Sequence, residues 1–285
     1  MVNNLSTRDG FEQCLRTDEN GELIGLFNDL VLRSVYQPIF RADTSVLGFE
    51  ALIRAKTLTD EPVCPAHLFR HIEQGHPEFY HQISTDRLAR VIHLRNFSRY
   101  AGQHAIFLNM LPSSAVSAIS KFSNQNLMVK RLSELGIPRH HVVLEVVEHL
   151  HDDMNALSAA TTQSTNNGFG IAIDDYGVKG SKEERVRLLC PNILKIDRSL
   201  LQDYMQGNIE PMIRAIALAK EVNAEVLVEG IENEGEYGAM QALDVDYFQG
   251  FYLGMPQRLS EFFEANPLEL APIIQLNHHA ASPTR

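Results

Sequence analysis

Residues Ile171-Ala172-Ile173-Asp174-Asp175-Tyr176-Gly177 decide how the rest of the chain is read. They form a short apolar, β-branched run that stops on two adjacent carboxylates and continues into Val178-Lys179-Gly180-Ser181. Such a run reads as a buried strand. Two anionic side chains at the mouth of a core repel each other unless a cation lies between them. A strand followed by a solvated acidic turn would spell the same letters, so the surrounding pattern has to choose.

Outward from this stretch, strands alternate with helices at a spacing of roughly 30 residues, as βα units do. The spacing predicts strands over 35–40, 46–53, 105–109, 142–148, 171–175, 193–197, 226–230 and 247–250. It predicts helices over 23–33, 65–73, 80–99, 113–135 with a polar break near Asn124, 153–167, 182–189, 209–222, 233–243 and 260–263. Pro38 marks the first strand as an edge or an irregular one. Asp43-Thr44-Ser45 turns it into a hairpin with the second.

Nearly every expected strand carries its polar residue at the C-terminal end. These residues are Glu50, Asn109, Glu145, Asp174 with Asp175, Lys195, Glu229 and Gln249. In a closed (β/α) barrel those ends share the face where catalytic groups sit. An open doubly wound sheet would concentrate its chemistry at one switch point, usually with a glycine-rich phosphate loop. Gly168-Phe169-Gly170 precedes its strand and is no such loop. The expected class is therefore α/β, a TIM-type (β/α)8 barrel.

The 285 residues, 44% of them hydrophobic, suffice for one barrel-sized core. We divide them into an N-terminal arm over 1–20, a barrel over 21–267 and a tail over 268–285 expected to be disordered. No apolar run reaches the roughly 18 residues of a membrane span. The N-terminus lacks a signal pattern, so the protein is expected in the cytoplasm, away from the membrane. Cys14, Cys64 and Cys190 form no CxxC pair. A net charge of −11 with no basic stripe excludes a binder of long nucleic acid. His140-His141, and His149 with His151, read as a solvated loop and a helix start rather than a second metal site.

Carboxylates converging on a dry barrel mouth repel unless neutralised. Oxygen donors without clustered His or Cys suit hard cations such as Mg²⁺ or Mn²⁺. A bridging carboxylate with acids on either side fits a two-metal site of the kind that hydrolyses phosphoesters.

The motifs then become recognisable. Glu50-Ala51-Leu52-Ile53-Arg54 resembles the signature of the EAL family of bacterial cyclic di-GMP phosphodiesterases. In family order follow segments similar to the family's own: Tyr36-Gln37-Pro38-Ile39 at the opening, then Phe107-Leu108-Asn109, Leu144-Glu145-Val146-Val147-Glu148 and Asp174-Asp175-Tyr176-Gly177. Leu194-Lys195-Ile196-Asp197, Val228-Glu229-Gly230-Ile231-Glu232 and Phe248-Gln249-Gly250 complete the set. The resemblance implies a barrel whose first strand runs antiparallel, standing alone in this sequence. It implies one ion on Glu50, Asn109, Glu145 and Asp174, and a second shared by Asp174, Asp175 and Glu229. Lys195 would place and activate the attacking water, with Glu50 and Glu229 also catalytic. Gln249 would hold water or substrate, and Gln37 and Arg54 would contact the dinucleotide. Asp197 would support the neighbouring lysine. Glu148 would anchor the loop after Asp175, which lies near the family's homodimer interface.

That loop departs from the family. Where the family continues with a small residue, Gly, an aromatic and Ser-Ser, this chain has Val178-Lys179-Gly180-Ser181-Lys182-Glu183-Glu184. Three readings stand: a phosphodiesterase giving linear pGpG, a catalytically impaired receptor for cyclic di-GMP, and a regulator that binds a protein partner.

Overall fold

A computed structural model of the chain describes residues 5, 7–69, 79–100, 102–111, 123–147, 154–178 and 183–270. The strands are β1 (Leu15–Thr17), β2 (Leu23–Phe27), β3 (Leu30–Arg41), β4 (Val46–Thr57), β5 (Pro62–Val63), β6 (Ala105–Met110), β7 (Val142–Val147), β8 (Gly170–Tyr176), β9 (Ile193–Ile196), β10 (Glu225–Val228) and β11 (Tyr247–Phe248). The helices are α1 (Arg8–Cys14), α2 (Pro65–Leu68), α3 (Phe79–Phe97), α4 (Ser123–Glu134), α5 (Met154–Asn166), α6 (Glu183–Leu189), α7 (Arg198–Met205), α8 (Glu210–Glu221), α9 (Glu234–Gln241) and α10 (Leu259–Ala265).

Closure removes the barrel's edges. Strands follow the order β3-β11-β10-β9-β8-β7-β6-β4, and β4 pairs back onto β3. β3 is antiparallel to both neighbours, and the other contacts around the ring are parallel. This is the expected (β/α)8 barrel with its first strand reversed.

Strand alternation then sorts the side chains into layers. Outward-facing residues such as Ile106, Leu108, Val142, Leu144, Ile171 and Ile173 join the large core beneath the helices. Inward, Ile39, Phe107, Val143, Ala172, Ile193 and Leu227 fill the lumen. Each buried aliphatic or aromatic side chain there contributes about 1.5–3 kcal/mol. Two residues further toward the mouth, the same strands present Gln37, Asn109, Glu145, Asp174, Lys195 and Glu229. The apolar plug is thus the floor of the polar layer.

The structure corrects several local expectations. Residues 23–33 form β2 and the start of β3, not a helix. Their apolar positions suit either period, but Asn28 and Asp29 take φ of 48° and 59° and close a two-residue hairpin with Phe27 opposite Leu30. The segment assigned to an N-terminal arm holds α1 and β1, and Leu5, Cys14 and Leu15 are buried beside Leu88 and Ile92 of α3. β3 is interior rather than an edge, but it is irregular as expected, with a register shift between Ile39 and Phe40. Pro38 is tolerated because its nitrogen faces the side where Tyr36 N–H already pairs with the Gln257 carbonyl at 2.7 Å and β11 reaches only Phe40 and Arg41. α7 was not expected; Asp197 starts it by accepting the Ser199 N–H at 2.8 Å. α4 begins at Ser123, next to the break expected near Asn124. Residues 112–122 and 271–285, which carry the rest of that helix expectation and most of the tail, lie outside the described residues. Among the described residues no helix is long and apolar enough to cross a membrane.

Gly48 lets β4 and β6 approach. A Cβ there would lie 2.2 Å from the Ala105 carbonyl oxygen, which is backbone and cannot swing aside. Gly48→Ala is expected to lower stability by about 1–3 kcal/mol. Urea unfolding reads this as a lower midpoint at unchanged slope, and a wild-type midpoint would refute it.

Candidate active site

Lys195 is the centre of the polar layer. Its side chain is 1% exposed, and its Nζ lies 2.6 Å from Glu145 Oε1, 2.7 Å from Asp174 Oδ1, 2.9 Å from Glu229 Oε1 and 3.8 Å from Glu50 Oε2. Glu50 is held from two further sides. Gln249 Nε2 donates to its Oε2 at 2.8 Å, and Asn109 Nδ2 to its Oε1 at 3.2 Å. Six strands and the turn after β11 therefore bring together every strand-end residue expected to meet.

Asp175 needs a separate explanation, because regular alternation would turn it out of the barrel. The β8–β9 pairing shifts register between Ile173 and Tyr176, and Asp175 takes a left-handed φ of 58°. Aspartate tolerates that conformation better than most side chains. Asp174, Asp175 and Glu229 then each offer a carboxylate oxygen within 4.8 Å of the others. Gly177 follows at φ 114°, and a Cβ there would lie 2.5 Å from Leu200 Cγ, so the turn requires glycine.

The electrostatics are unbalanced: five carboxylates face one ammonium. Burial alone would lower Lys195, but Asp174, Glu145, Glu229 and Glu50 hold it well above its ordinary value. Burial pushes Glu145 well up against the pull of Lys195. Burial, and then the neighbouring Asp174, push Asp175 up to about 6. Burial raises Glu229 from 4.5 to about 8. Glu145 Oε2 and Gln249 Oε1 are buried without a partner among the described residues, and Glu145 Oε1 and Asp174 Oδ1 have only the Lys195 ammonium, which they share. Orphaned oxygens in an excess of negative charge fit a hard divalent cation. Asp174, Asp175 and Glu229 are the residues best placed to hold one, with Glu50, Asn109 and Glu145 beside them.

Other expected residues lie at the margin. Gln37 stands opposite Glu50 in the β3–β4 register and donates to the Gly254 carbonyl at 3.2 Å. Arg54 is exposed, on the same face of β4 as Glu50 but four residues beyond it, and reaches the Ile53 carbonyl at 3.1 Å. Asp197 serves as a helix cap. Glu148, His149, His151 and residues 179–182 lie outside the described residues. His140 and His141 precede β7, at the end opposite Glu145. Arg33, directly across from Arg54, was not singled out because a helix was expected there.

A family model described as EAL domain matches residues 27–256. The chain is 29% identical over 225 residues to YkuI of Bacillus subtilis, named an uncharacterized EAL-domain containing protein, across 78% of this chain and 54% of YkuI. It is 34% identical over 142 residues to the probable cyclic di-GMP phosphodiesterase PdeA of Escherichia coli, across 47% of this chain and 19% of PdeA. The chain thus spans about half or less of the length of these curated relatives. A crystal structure of YkuI in complex with substrate c-di-GMP and calcium aligns with a TM-score of 0.68 at 26% identity, covering 84% of this chain and 61% of that one.

A carboxyl with a raised folded-state value holds its proton more tightly folded than unfolded. Its contribution to stability is full below the unfolded value and is lost as pH rises through the folded one. With Glu229 raised from 4.5 to about 8, the cation-free protein is expected to lose stability between roughly pH 5 and 8. Added Mn²⁺ should reverse the loss and release protons on binding at neutral pH. Urea midpoints across that range, and Mn²⁺ calorimetry in two buffers of different ionisation enthalpy, check both signs. Proton uptake on binding would contradict the assignment.

Proposed function

The chain belongs to the EAL domain family, and on that premise we propose that it hydrolyses cyclic di-GMP to linear pGpG with two divalent cations, Mg²⁺ or Mn²⁺, at the barrel mouth. The observation that carries this reading is the closed layer of Glu50, Glu145, Asp174 and Glu229 around Lys195. Glu50, Asn109, Glu145 and Asp174 would hold one ion, and Asp174, Asp175 and Glu229 the other. Bound there, the ions would supply Lewis acidity toward the phosphodiester and make water a nucleophile at neutral pH.

The chain's own residues provide the rest. Asn109 and Gln249 fix both oxygens of Glu50, so its carboxylate cannot rotate away. Lys195 Nζ, held by three acids, is a fixed donor that orients the attacking water and stabilises charge developing on the phosphoryl oxygens. Glu229, with a side chain 18% exposed, sits where the layer opens to solvent. Gln37 and Arg54 hold the dinucleotide, Arg54 by a charge-assisted fork to phosphate. In-line attack of water at one phosphorus breaks a single ester bond and opens the ring. The apolar floor excludes bulk water from below.

A second reading draws on the loop after Asp175, whose residues Val178 to Glu184 differ from the family pattern. Weaker support for the second ion would leave a cyclic di-GMP receptor with little turnover. Incubation with cyclic di-GMP and Mn²⁺ separates the two. Formation of pGpG supports the enzyme, and tight binding without product supports the receptor. Glu50→Ala is expected to cut turnover on the order of 10²-fold or more, since even outer partners of metal ligands cost 10- to 100-fold. Full activity in that variant would refute the site.

A further inference from the structure

β3 and β4 do not stop at the mouth. They run on together past Glu50 as part of an antiparallel extension with β1, β2 and β5. One face of this extension is closed, with Leu32, Ile53 and Ala55 buried against Leu88 and Ile92 of α3. The other continues the face of the catalytic layer through the pairs Gln37 with Glu50, Val35 with Leu52, and Arg33 with Arg54. Val35 and Leu52 are part-exposed and Arg54 is exposed.

Like charges directly opposite on paired strands are destabilising. One compensation is built in. Asp18, with a side chain 3% exposed, pairs with Arg33, whose own side chain stays 43% exposed. The other oxygen of Asp18 accepts the N–H groups of Asn20 at 2.9 Å and Glu22 at 3.0 Å, so the carboxylate cannot follow a ligand. It sets Arg33 in place and leaves most of its guanidinium fork open. Lys56, next on this face of β4, is already paired with Asp60 at 2.9 Å. Arg54 has no carboxylate partner among the described residues. The facing Arg33 and Arg54 are therefore left as a place for an anion, about 13 Å along the strands from Glu50.

A cyclic dinucleotide carries two phosphodiesters, and only one can lie at the carboxylate layer. We propose that Arg33, together with Arg54, holds the second phosphodiester of cyclic di-GMP, with Val35 and Leu52 beneath its base. This rests on the functional reading above and adds Arg33 as a residue that selects cyclic dinucleotides over simple phosphodiesters. If the Asp18–Arg33 pair only locked the β1–β2 turn, its loss would affect substrates with one and two phosphates alike.

The test compares cyclic di-GMP with bis(p-nitrophenyl) phosphate, which has a single phosphodiester, under Mn²⁺. Arg33→Gln is expected to lower the ratio of the two kcat/KM values about tenfold, through KM for the dinucleotide. Because that variant leaves Asp18 buried without a partner, Asp18→Asn with Arg33→Gln is measured beside it and should show the same fall. An unchanged ratio in both, with the wild type cleaving cyclic di-GMP, overturns this inference alone. A wild type that cleaves the simple diester but neither binds nor cleaves cyclic di-GMP overturns the functional reading and this inference with it.

Discussion

The buried ammonium of Lys195 is the interaction on which the site depends. It lies within ion-pair distance of four carboxylates in a layer closed below by apolar side chains. Removing charges from water costs several kcal/mol per ion, and an unpaired buried charge costs more than its pair contributes. A single cation among five acids reduces that cost without cancelling it. Burial, and after it the neighbouring acids, raise Glu145, Asp175 and Glu229. The layer is thus built around a cation deficit, which is also what makes it suitable for divalent ions. Stability and chemistry draw on the same acids.

The barrel makes this arrangement reproducible. Alternation sets each mouth residue two positions beyond a lumen residue, so the plug of Phe107, Val143, Ala172, Ile193 and Leu227 and the layer above it are one construction. Two departures from regularity matter. The bulge at Asp175 turns a side chain inward that alternation would send out. The antiparallel β3 carries the β3–β4 pair past the mouth, giving the floorless side of the site a platform of its own.

Much of this was legible because a buried strand ending on a polar residue, ambiguous when met once, recurs around the ring. The failures share a cause. At residues 23–33 the apolar spacing satisfied both helix and strand, and the arbiter was the left-handed pair Asn28 and Asp29 with partners in β1 and β3. α7 went unseen because it is short and follows directly on Asp197, whose carboxylate looked like part of the site. Arg33 was overlooked for the same reason as β2: a residue assigned to a helix has no cross-strand neighbour.

By itself the sequence determined the chemical type and order of the residues at the barrel mouth, since alternation along one strand is a local property. It also pointed to the closed α/β architecture, because polar residues end nearly every strand instead of gathering at one switch point. The tertiary structure decided which of those residues act together. Lys195 among the acids, Asp175 turned inward and Arg33 across from Arg54 all depend on register between strands distant in the chain. Register is set by pairing and packing of the whole ring, and no single segment encodes it.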